Sequence, residues 1–154
     1  MMVKKKVLFV LMVALIGQFI GYAQDHTEKT VKELLMSKEW IQEDNSYVVV
    51  RFEEGLFYYR ILPHPYLTDM PQKYYLSDVF LKEFDENSVG KTGGSKYLYL
   101  RSFKRESSFC VFEIRDLTED KLVMREIYNS DDPDGTAVVI GRKILERTYI
   151  PYKE

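Results

Sequence analysis

The chain has 154 residues and a net charge of −2, with 30% charged and 14% aromatic residues. Its length predicts one domain, and its apolar and aromatic share excludes intrinsic disorder. The balance of charge leaves no basic footprint for nucleic acid.

Residues 1–23 read as a secretory signal. Lys4, Lys5 and Lys6 form a positive start, residues 7–20 are apolar apart from Gly17 and Gln18, and Gly21 and Ala23 stand at −3 and −1 of a cut before Gln24. The apolar stretch is shorter than the ~20 residues of a spanning helix. No Cys follows it, which predicts cleavage without a lipid or other stable membrane anchor. Residues 24–154 are then one domain, periplasmic or secreted. The segment carries lysines and no acid, so the mature chain is more acidic still, which speaks against anionic membrane surfaces.

In the mature chain, Thr30-Val31-Lys32-Glu33 has capping-box spacing, and Val31, Leu34 and Leu35 share a face. A short helix is expected, starting within 27–30 and ending near Ser37. It persists only by packing on something larger. Strands separated by turns follow. Residues 39–44 contain Trp40, the one Trp. Residues 47–52 and 56–62 flank Glu53-Glu54-Gly55, a hairpin signal. Pro63, His64, Pro65 and Pro71 mark an irregular connection. Residues 73–81 return to extended character, and Gly90, Gly93 and Gly94 make 85–95 a loop. In 96–103, Tyr97 and Tyr99 lie on one face and Leu98 and Leu100 on the other. Strands at 108–116, 121–128 and 136–147 complete the chain, the last after a turn-rich tip at 129–135.

About eight short strands joined mostly by hairpins predict an antiparallel sheet, closed as a barrel or folded as a sandwich. Closure removes exposed edges. The helix followed by Leu35-Met36-Ser37-Lys38-Glu39-Trp40 resembles the opening of lipocalin-like proteins, in which a Trp begins the first strand and plugs one end of the barrel. Lys38 stands where the usual Gly-x-Trp has its Gly. The run from Phe112-Glu113-Ile114 through Leu117-Thr118-Glu119-Asp120 to Val123-Met124 resembles the late hairpin of that group, and Tyr74-Tyr75-Leu76-Ser77-Asp78 is similar too. Small exported lipocalin-like proteins of Gram-negative gut bacteria are similar over most of the mature chain. The expected fold is therefore all-β: an antiparallel eight-stranded lipocalin-like barrel with a short N-terminal helix. On this barrel, residues 63–72 are expected at the mouth.

Catalytic signatures fail one by one. Gly90-Lys91-Thr92 resembles the end of a P-loop, but Asp85 stands where its first Gly belongs. Asp131-Asp132-Pro133-Asp134-Gly135 as a calcium loop would put Gly141 where a bidentate Glu is needed, so it reads as an acidic hairpin tip. His26 and His64 have no spaced partners for zinc and no nucleophile elbow for a triad. Cys110, the sole cysteine, cannot form an internal disulfide and reads as a small buried hydrophobe. Glu53, Glu54, Asp78, Asp85 and Glu113 fall at turns or on polar strand faces, where acids are solvated; a hydrolase would need two of them converging. No catalytic residue, metal or cofactor is expected.

The aromatics remain. They either fill the barrel or line a cavity for one small ligand. Trp40, Tyr58, Tyr75, Tyr97, Tyr99 and Phe112 are expected at the barrel interior or mouth. The expected function is non-catalytic binding of a small apolar or amphipathic ligand. The alternative is a periplasmic protein-interaction module of immunity or inhibitor type, presenting 131–134 or 66–70.

Overall fold

The computed structural model describes residues 29–63, 71–102, 105, 107–133 and 146–153. It contains a helix α1 (Val31–Met36) and strands β1 (Trp40–Gln42), β2 (Asn45–Glu53), β3 (Leu56–Ile61) and β4 (Gln72–Ser77). A two-residue β5 (Thr92–Gly93) precedes β6 (Tyr97–Ser102), β7 (Phe109–Leu117), β8 (Leu122–Asn129) and β9 (Glu146–Pro151). Around the ring the order is β1-β2-β3-β4-β6-β7-β8-β9, and β9 pairs back onto β1. Every neighbour in the ring is antiparallel, giving the expected closed eight-stranded barrel; β5 lies outside it, parallel to β4.

Alternation along the strands decides what enters the barrel. Val50 and Phe52, Tyr74 and Leu76, Leu98 and Leu100, and Leu122 and Met124 join Trp40 in one buried cluster. The helix closes the end of the barrel where Trp40 sits. A reciprocal capping box between Thr30 and Glu33 starts it. Leu35 and Trp40 are fully buried, and the Trp40 indole Nε1 donates to the Leu35 carbonyl at 3.0 Å. Lys32 reaches from the helix to Glu54 and to the Gly90 carbonyl. Lys38, in the place of the usual Gly, lies 5.4 Å from the centre of the Trp40 ring and pairs with Glu119 at 2.9 Å. The helix end is thus tied to the β7–β8 turn.

The seam of the barrel is narrow. Strands β3 and β4 pair only at Leu56–Lys73 and Phe57–Gln72. Beyond these, the Tyr74 amide donates to the Gly55 carbonyl at 3.0 Å, and the Gly90 amide to the Tyr74 carbonyl at 3.1 Å. Gly55 and Gly90 meet there, both at positive φ, and a Cβ on Gly55 would stand 3.1 Å from the Gly90 backbone. Only glycine meets both demands.

One expected strand is corrected. The extended stretch at 73–81 ends at Ser77, because the Asp78 carboxylate accepts from the Ser95 amide at 2.8 Å and turns the chain out of the sheet. Residues 78–91 then run as a strap over the outer wall. Of the strand expected at 136–147, residues 136–145 lie outside the described residues; Glu146 and Arg147 open β9 (Glu146–Pro151), in which Tyr149 stands opposite Leu122. The expected signal at 1–23, His26, His64, residues 66–70 and the tip from Asp134 lie outside the described residues.

Two outcomes follow. Leu35→Ala lowers the unfolding free energy by about 2–5 kcal/mol, read from the urea midpoint. The Glu119 carboxyl is held at about 2, below its ordinary 4.5, first by the Lys29 hydrogen bond and then by that of Lys38. A depressed carboxyl stabilises the fold above its unfolded value and loses that contribution as pH falls toward the folded one. The melting temperature therefore drops between pH 4.5 and about 2, and Glu119→Gln makes that drop shallower.

Candidate ligand-binding cup

Away from α1 the described residues do not fill the barrel interior. A cavity of about 500 Å³ occupies it, within the ~300–1,000 Å³ typical of small-molecule sites. Phe57 of β3, Leu100 of β6, Phe112 of β7 and Met124 of β8 give it apolar walls. Among them stand polar side chains: Gln42, Asn45, Gln72, Glu126 and Arg147. Arg147 hydrogen-bonds the hydroxyl of Tyr149, which is buried and whose pKa is raised chiefly by that burial. The Cys110 thiol, on the inward face of β7 beside Leu100, is part of the wall and only half-buried.

Of the six aromatic residues expected in the interior or mouth, the cup takes Phe112 on its wall, and Trp40 lies within the barrel core at the helix-closed end. The other four are corrected. Tyr58 faces outward between Phe57 and Tyr59, with the Arg51 guanidinium 4.6 Å from its ring centre. Tyr75, Tyr97 and Tyr99 belong to a second apolar cluster on the outer wall, with Phe109 and Val111. The strap explains this placement. Phe84 packs edge-on against Tyr75 at 5.2 Å, and Phe80 sits 5.9 Å from Tyr97. Tyr75 and Tyr99 stack at 4.5 Å with 8° between their planes. Their hydroxyls hold the strap backbone: Tyr99 accepts from the Leu81 amide at 2.6 Å, and Tyr75 from the Asp85 amide at 3.3 Å. Burial pushes the Tyr75 hydroxyl up to about 12, so it stays a neutral hydrogen-bonding group.

The polar side chains of the cup are the ones that sequence reasoning missed. Their signal was the period of two: Glu126 falls in step with Leu122 and Met124, and Arg147 with Tyr149. A charge in step with apolar neighbours marks a polar group facing into a barrel. Of the suspected calcium loop, Asp131, Asp132 and Pro133 are described, and Asp131 accepts from the Ser108 hydroxyl at 2.7 Å. Among the described residues, no group of three metal-ligating side chains is close enough to hold an ion.

Tyr99→Phe removes the clasp on Leu81. The expected cost is about 1 kcal/mol, with faster hydrogen exchange at the strap amides and an unchanged cup. Mass-resolved exchange of the variant checks both. Compared with known proteins, the chain matches no family model, no curated protein and no solved structure.

Proposed function

We propose that this is an exported, non-catalytic binding protein of lipocalin-like type, which holds one small amphipathic ligand in the cup. The cavity of about 500 Å³ inside a closed barrel carries this reading. A well-packed protein interior leaves few voids larger than a water molecule, so a space of this size needs an occupant or a reason. Its walls combine apolar surface with a few converging polar groups, the usual make-up of a small-molecule site. Glu126 is the one carboxylate among its described lining residues, whereas glycoside hydrolysis uses a pair. Export rests on the signal pattern of residues 1–23.

A second reading, a protein-interaction module, is favoured by one observation. Val79 and Leu81 on the strap are 59% and 53% exposed, with Phe80 between them and Ile127 also exposed. Such a run marks a contact surface more often than an inert one.

The test is to fill the cup. Leu100→Trp is expected to abolish binding of an anilinonaphthalene sulfonate dye at least about tenfold, with far-UV circular dichroism unchanged, whereas Leu81→Asp leaves dye binding intact. Equal dye binding by the wild type and Leu100→Trp would place the dye elsewhere and sink the cup reading.

A further inference from the structure

The described lining of the cup carries one charge of each sign, and the two form no ion pair with each other. Glu126 and Arg147 lie on the adjacent strands β8 and β9. Met124 is directly opposite Arg147, so Glu126, two residues on, is its diagonal neighbour, about 7–8 Å away along the backbone. Both line the cup and both are half-buried. Among the described residues neither takes part in an ion pair. Glu126 has only a long hydrogen bond of 3.4 Å from the Asn129 amide, and Arg147 its contact with the Tyr149 hydroxyl. The nearby Asp44, which is exposed, is engaged by Gln42 at 2.6 Å. A half-buried carboxylate and guanidinium, with no ion-pair partner among the described residues, gain from an occupant that meets both. Across the cup from them, β2 and β3 present Val50 and Phe57 and no charge.

We propose that the cup selects a zwitterionic amphiphile: a ligand whose head carries an ammonium and a carboxylate side by side, as in an α-amino acid, and whose body is apolar. The carboxylate meets the Arg147 guanidinium, the ammonium meets Glu126, and the tail crosses to Phe57 and Leu100. This rests on the cup being a ligand site and adds the class of ligand. A simple fatty acid would answer Arg147 but bring its negative charge beside Glu126. A simple amine would do the reverse. Specificity here comes as much from that repulsion as from the attraction.

The experiment is calorimetric titration of the purified protein with three probes of similar chain length, below their micelle concentrations: 2-aminodecanoate, decanoate and decylamine. The zwitterion is expected to bind at least about tenfold tighter than either singly charged probe. Glu126→Gln should shift the preference toward decanoate, and Arg147→Gln toward decylamine. The ranking within each variant is its own control for folding, because a collapsed cup loses all three probes together. If the wild type binds all three equally, or decanoate best, the zwitterion proposal fails while the cup remains a binding site. If it binds none of them, the cup reading and this proposal fall together.

Discussion

Two residue pairs between β3 and β4 close the barrel, and everything inside depends on them. Without closure, the sheet would expose two edges and its inward face would have no opposite wall. The pairing ends at Phe57 and Gln72, where β4 begins. It is extended by a backbone relay from Gly55 through Tyr74 to Gly90, in which two glycine backbones approach as closely as side-chain-free residues can. The same relay brings Gly90 within reach of Lys32, so the seam and the helix that closes the barrel end are held at one point. The cup lies above this junction and owes its walls to it.

Two bulges set which side chains face the cup. Between β7 and β8, Val111 pairs with Tyr128 and Phe112 with Glu126, so Ile127 is an extra residue. The bulge turns Tyr128 outward, where its ring meets Phe109 at 5.4 Å, and leaves Glu126 pointing in. A second irregularity, between Ile114 and Asp116, lets Ile114 and Leu117 both pack on the inner core. A bulge re-aims side chains in this way at the cost of one unpaired residue.

The fold was legible in the sequence to a large extent, for physical reasons. Hairpin chemistry at Glu53-Glu54-Gly55 and 118–121, and period-two alternation in 97–100, are local signals, and local signals survive without a structure. The capping box at Thr30 and Glu33 was equally local. The site was less legible. Alternation separates Tyr97 and Tyr99 from Leu98 and Leu100 but does not say which pair faces inward. That choice was made by residues 78–91, whose Phe80 and Phe84 bury the tyrosines from outside. In a simple barrel the outer face is wet and the larger apolar set belongs inside; here both faces of β4, β6 and the start of β7 carry buried residues. The inward charges at Glu126 and Arg147 were visible only to someone who already knew which positions were inward. For Glu126 the following bulge blurs even that.

Burial on two sides has a mechanical consequence. Strands β4, β6 and β7 are clamped between the inner core and the strap, with stacked rings and tyrosine hydroxyls on the outside, so that arc of the wall is stiff. Among the described residues the arc formed by β9 and β1 has no such cover: Ile150 is 39% exposed and β1 is three residues long. Widening of the cavity therefore falls to the thin arc, whose strands also bring Arg147 and Gln42 to it. If the cup holds a ligand as proposed, making room on this arc also moves Arg147, one of the two groups proposed to hold its head, while Glu126 stays on the neighbouring β8.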